Sequence, residues 1–69
     1  MLVNTYDPEA DAAYIRLADP HLHRIVESEE VSPGVILDFT EDGRVVGIEV
    51  LHASKTLAPG DWRTAHAAE

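Results

Sequence analysis

Clusters of turn-forming residues interrupt this chain about every ten residues, at DPEAD (7–11), ADPH (18–21), SPG (32–34) and EDG (41–43). That spacing fits successive antiparallel strands joined by tight connections. The pieces between the turns alternate apolar and polar side chains, as a strand with one face against a core must.

LVNTY (2–6) reads as an opening strand. In AAYIRL, Ala13, Ile15 and Leu17 share one face, with Tyr14 and Arg16 on the other. HRIVESEEV alternates more loosely and reads as a long, partly exposed strand. GVILDF places Val35, Leu37 and Phe39 inward, opposite Ile36 and Asp38; RVVGIEVL groups Val46, Ile48 and Val50 against Val45, Gly47 and Glu49. TEDG between these two strands is a strong hairpin signal, because Asp-Gly readily supplies the positive φ angles of a tight turn. HASKTL fits one or two helical turns that lay Leu51 and Leu57 near the sheet, stopped by Pro59-Gly60. The predicted fold is α+β, mostly β: an antiparallel sheet of about five strands in meander order with one short C-terminal helix.

A chain of 69 residues is one domain with a thin core, since a domain of this size buries only roughly 60% of its unfolded surface. Without cysteine it has no disulfide, thiolate zinc site or catalytic thiol to supplement that core. No secretory leader is recognisable in MLVNTYDPEADA, and no apolar run approaches the roughly 18 residues of a spanning helix, so a cytoplasmic protein is expected. Residues 1–57 are read as a single domain and 58–69 as a C-terminal tail, mobile or ordered only by docking Trp62 onto a neighbour.

The formal charge of −8 and the pI near 4.7 oppose direct binding to nucleic acid or to an anionic membrane surface. From Glu27 to Glu49 seven acids face one base, Arg44, a local net of −6. Surface charge of this kind keeps a small protein soluble. It also offers a docking surface for a basic partner, and the candidate partner-binding residues are Glu27, Glu29, Glu30, Asp38 and Glu49.

YDPEADAAYIRL places Asp7, Glu9 and Asp11 at alternate positions. A calcium loop counted from Asp7 would need glycine at its sixth position and glutamate at its twelfth, where Ala12 and Ala18 stand. These acids are therefore read as a turn, Asp7 accepting from backbone N–H groups just ahead and Pro8 presetting φ. His21 and His23 form an H-x-H pair beside Pro20 without a nearby third ligand, and read as surface histidines. His52 follows the last strand, where it could meet Glu49 or Asp38. Gly47 inside a strand points to a bulge or the close approach of another backbone. No nucleophile elbow, phosphate-cradling loop or dinucleotide fingerprint is present. No catalytic residue, cofactor or metal site is expected; the alternative is a minor enzyme or a small metal- or ligand-binding protein using Asp38, Glu49 and His52, or Asp7 and Asp11, around a metal.

YDPEADAAYIRL and EEVSPGVILDFTEDGRVVGIEVLHASKTL together resemble the small bacterial and archaeal DUF2283 family. Its members share Y-D-x-E-x-D-x-x-Y-I-x-L, an E-x-x-P/D-G-V segment and D-x-D-G-x-V-V-G-I-E-I-L-x-A-S, and the likeness covers about residues 3–57. This chain departs from the pattern at Ala13, where a larger apolar residue is common, and at His52, where an acid is usual. The resemblance implies a compact sheet with a short C-terminal helix and no established activity. Some of these genes resemble the antitoxin halves of toxin-antitoxin pairs. The expected function is a non-enzymatic protein-binding module, a homodimer formed through sheet faces carrying Ile36 and Val45 or through joined edges, which neutralises a basic partner such as a toxin.

Overall fold

Strand order follows from where the acidic residues can sit. The computed structural model describes residues 3–19 and 21–64; Leu2, Pro20 and the chain beyond Thr64, all included in the expectations above, lie outside them. Five strands, β1 (Val3–Asp7), β2 (Ala12–Arg16), β3 (Ile25–Ser32), β4 (Val35–Thr40) and β5 (Val45–Leu51), precede the short helix α1 (Ala53–Thr56) and a single 3-10 turn at Asp61–Thr64. All strands pair antiparallel in the order β1-β2-β5-β4-β3. The expected meander order is therefore not adopted.

A meander would make β3 the central strand, flanked on both edges. That strand reads IVESEEVS, and burying Glu27, Glu29 and Glu30 without cations would carry a large desolvation cost. The chain instead gives the centre to β5, VVGIEVL, which contains the fully buried Val46 and the nearly buried Val50. β3 goes to the edge, where all eight residues are exposed. The crossover from β2 passes three strand spacings, about 14 Å, within reach of the connecting residues 17–24 at roughly 3.3 Å each. Both Leu17 N–H (2.7 Å) and Ala18 N–H (3.1 Å) donate to the Val46 carbonyl and start that loop across the sheet.

The hairpin turns behave as their residues dictate. Pro33-Gly34 joins β3 to β4 with φ +80 at Gly34, as a type II turn requires, and the Gly34 carbonyl accepts from Leu51 N–H at 2.8 Å. Between β4 and β5, Gly43 N–H donates to the Thr40 carbonyl at 3.0 Å and Gly43 takes φ +84. The positive φ falls on Gly43 alone, not on the Asp-Gly pair, the arrangement of a type I turn followed by a left-handed glycine.

One face of the sheet carries the core. Tyr6 pairs with Ala13, Ala13 with Val50 and Val50 with Val35, so these four side chains form a row across four strands. Ala53 of α1 seats on that row, fully buried, with Leu57, Ile48 and Trp62 around it. The small Ala13 allows this close approach of the helix.

Asp11 holds the helix in place from 43 residues away. It takes a left-handed φ of 52, which aims its carbonyl at Ala53 N–H (2.8 Å) and its carboxylate at Ser54, accepting from Ser54 N–H (3.1 Å) and Ser54 Oγ (2.6 Å). His52 stands at the N-cap in the left-handed region with no side-chain cap of its own, so Asp11 satisfies the helix N-terminus in its place. The same carboxylate accepts from Tyr6 Oη at 2.8 Å, and the Tyr6 ring meets Trp62 edge-on with centroids 4.9 Å apart. The Trp62 indole N–H donates to the Ala58 carbonyl at 2.6 Å, and the Arg63 guanidinium lies 5.2 Å from the ring centroid. Trp62 thus docks on its own chain, against Tyr6 of β1.

Hydrogen bonds from Ser54 and Tyr6, with His52 nearby, hold the Asp11 carboxyl below its ordinary value of 3.8. A carboxyl depressed by folding adds stability above its unfolded pKa, and that stability is lost as pH falls below 3.8 through the folded value. Asp11→Asn should lower the melting temperature at neutral pH and flatten its fall in that acid window. Asp11→Ala should in addition shift Trp62 fluorescence to the red; thermal melts and emission spectra across the window check both outcomes.

Candidate functional site

The five acids expected to form one partner-binding field are divided by the fold. Glu29 pairs with Leu37 and Glu27 with Phe39, which puts both on the core face of β3, exposed at the edge. Glu30 pairs with Ile36 on the opposite face, and its Oε2 accepts from Gly34 N–H at 3.1 Å. Glu49 is half-buried on that same face, paired with Tyr14. Asp38 is buried at 8% exposure. The surface acids with a continuous setting are therefore Glu27, Glu29 and Glu30 along one edge strand, while Asp38 belongs to the interior of the other face.

Asp38 is the centre of a polar line that crosses four strands. Tyr14 on β2 lies over β5 at Gly47 and donates its hydroxyl to Asp38 Oδ2 on β4 at 3.1 Å. From the other side, Ser28 Oγ on β3 donates to Asp38 Oδ1 at 2.6 Å. Gly47 permits this crossing, since a Cβ there would stand 2.1 Å from the Tyr14 hydroxyl oxygen and 2.5 Å from ring carbon Cζ. The expected close approach at Gly47 is real, but a phenol supplies it. The expected bulge lies beside it, where Asp38 pairs with Gly47 and Phe39 with Val45, leaving Val46 as the extra residue on β5.

The register ties charge to geometry. A buried carboxylate needs donors, and among the described residues none of the Lys or Arg side chains forms an ion pair with Asp38. Two hydroxyls serve instead. Pairing Ser28 with Asp38 fixes which β3 residues point to each face; slipping β3 by one residue would set Glu27 or Glu29 beside the buried carboxylate. Burial first, then the hydrogen bond to Asp38 and the nearby charges of Asp38 and Glu49, push the Tyr14 phenol up to about 12.

The remaining candidates separate in the same way. Asp7 Oδ1 accepts from Glu9 N–H (3.0 Å) and Ala10 N–H (3.3 Å), the turn role read from its sequence. Asp11 is occupied by Tyr6 and Ser54. His52 lies close enough to Asp11 to act on its charge, rather than joining Glu49 or Asp38 as a ligand set. His21 and His23 are exposed in the crossover loop. Asp7 and Glu49 do line one cleft of about 330 Å³ with Thr5, Ala12 and Tyr14. Among the described residues no three His, Asp or Glu side chains gather as metal ligands. No described helix is long and apolar enough to cross a membrane.

Tyr14 and Ser28 are the residues that sequence reasoning passed over. Their signal was present: an apolar strand interrupted by glycine, and a tyrosine and an aspartate both assigned to the outer faces of their strands. Tyr14→Phe, which leaves Asp38 one donor short, should cost about 1–3 kcal/mol. Gly47→Ala should destabilise by a similar amount, roughly 1–3 kcal/mol through steric overlap, and cost much less in a Tyr14→Ala background. Because folding raises the Tyr14 pKa from 10.0 to about 12, the associated stability is complete below pH 10 and lost as pH climbs between those values. Tyrosinate absorbance during alkaline titration of wild type and Tyr14→Phe, with denaturant melts of the variants, checks this set.

The sequence profile of a family described as a protein of unknown function (DUF2283) matches residues 4–54. A Bacillus subtilis (strain 168) protein named uncharacterized protein YuzE is 38% identical over 58 residues, covering 80% of this chain and 45% of that protein. The chain thus spans less than half the length of this curated relative. No solved structure matches the chain. The matched segment runs from β1 into α1 and contains Asp11, Tyr14, Ser28, Asp38, Gly47 and Ser54. The chain belongs to the DUF2283 family.

Proposed function

We propose that the chain is a protein-binding module that offers β3 to an extended, basic segment of a protein partner, in the manner of an antitoxin that neutralises a basic toxin. The observation that carries this reading is the edge position of β3, an eight-residue strand exposed at every residue and bearing three glutamates. An edge strand has one row of backbone N–H and C=O groups without a neighbour in its sheet. A segment with Lys or Arg at alternate positions adds to that row by backbone hydrogen bonds and meets Glu27 and Glu29 on one face, and a basic residue at a position between them meets Glu30 on the other.

The charge also selects against wrong partners. Two copies joined along β3 would bring six glutamates together, and the register shifts at Ile25/Glu27 and Glu30/Ser32 disturb a regular ladder, both of which discourage strand addition by the chain itself. A basic strand gains from the same glutamates. Long-range attraction speeds association and weakens as salt screens it.

Reversing charge at Glu27 and Glu29 should slow association at least about tenfold at low salt and flatten its salt dependence, leaving the fold intact because both side chains are exposed. The test retains lysate proteins on the full chain and on Glu27→Lys/Glu29→Lys, elutes them with salt, and measures binding of each retained protein after purification. A small basic protein held by the wild type and lost by the variant is the expected result. Equal retention by both would remove the reading.

A further inference from the structure

The exposed apolar side chains are gathered at the end of the sheet opposite α1. Of the described large hydrophobics that remain exposed, Val31 alone stands elsewhere; Leu17, Leu22, Ile25, Val26 and Val45 lie at the ends of β2, β3 and β5 or in the crossover loop. Their common location follows from the pairing. Leu17 N–H meets the Val46 carbonyl, Val45 pairs with Phe39, and Ile25 pairs with Thr40. Leu22, at 77% exposure, and Val26 line a hollow of about 340 Å³ together with Arg24, Thr40, Glu41 and Asp42.

Charge distinguishes this end from the remainder of the molecule. Arg16, Arg24 and Arg44 face Asp19, Glu27, Glu41 and Asp42 here, three against four, so all but one of the formal −8 charges of the chain reside elsewhere. Arg44 Nε and Asp42 Oδ2 already form an ion pair at 3.2 Å. A basic ligand has little reason to choose this nearly neutral end over the acidic edge. A second copy of this highly charged chain has a strong one, because this end lets two such molecules meet with apolar contact and the least like-charge repulsion.

We propose that the chain forms a symmetric homodimer through this crossover end, with Leu22 and Val26 of both copies in the contact and β3 left open from Glu29 onward. This interface meets β3 only at its first residues and does not rest on the partner reading, and its electrostatics have the opposite sign. Salt screens the repulsion between two copies and tightens the dimer, whereas it weakens attraction to a basic partner.

The test is sedimentation of the full chain across the micromolar range at low and high salt, for the wild type, Leu22→Asp, Val26→Asp and Glu29→Lys. The expected result is a dimer that tightens with salt, is weakened more than about tenfold by either Asp substitution, and is not weakened by Glu29→Lys. Circular dichroism confirms folding; if Val26→Asp fails to fold, Leu22→Asp decides, since Leu22 is a loop residue with little packing to lose. A wild type that stays monomeric at high salt and high concentration overturns the proposal. A dimer indifferent to Leu22→Asp, or one weakened instead by Glu29→Lys, overturns it equally.

Discussion

The buried Asp38 carboxylate is the constraint from which the arrangement of the sheet follows. It lacks an ion-pair partner among the described residues and is satisfied by two hydroxyls that arrive from opposite sides, Tyr14 across β5 and Ser28 from β3. Each demand restricts another residue. Tyr14 can reach Asp38 only because Gly47 leaves the intervening strand bare. Ser28 can reach it in only one register, which fixes the faces on which Glu27, Glu29 and Glu30 project. A polar interaction on one face therefore decides how the acidic strand meets solvent.

A second fastening acts on the opposite face. Asp11 binds the β1–β2 turn to the start of α1 through Ser54 and binds Tyr6, which in turn supports Trp62. The two fastenings divide the molecule: α1 and the 3-10 turn cover the core at one end, and apolar side chains stay uncovered at the crossover end. Charge separates likewise, with a nearly balanced crossover end and an acidic edge. In the account proposed here these become two surfaces, one for a second copy and one for a basic partner.

Local features of this fold were legible in the sequence. The alternation of β2, β4 and β5, the hairpin turns and the role of Asp7 each depend on residues within a few positions of one another, where pattern and turn chemistry act directly. Strand order depends on β2 meeting β5, and alternation in either strand does not choose its neighbour. The acid content of IVESEEVS was a sufficient warning, since a strand carrying three glutamates belongs at an edge. Asp11 and Ser54, 43 positions apart, and Tyr14 and Asp38, 24 apart, were hidden for the same reason. Asp38 looked like a surface acid because a single outward face gives no sign that a tyrosine will cover it. Trp62 in polar company likewise gave no indication that Tyr6 would receive it.

The most direct measurement is an NMR titration of the isotope-labelled full chain with a synthetic peptide of alternating lysine and valine, beside one of alternating glutamate and valine. If β3 is the acceptor edge, the basic peptide shifts backbone resonances of residues 25–32, reverses on addition of salt, and leaves Asp11 and Ser54 undisturbed, while the acidic peptide has no effect. Shifts centred on another part of the sheet, an equal response to both peptides, or no response at millimolar peptide would contradict the account.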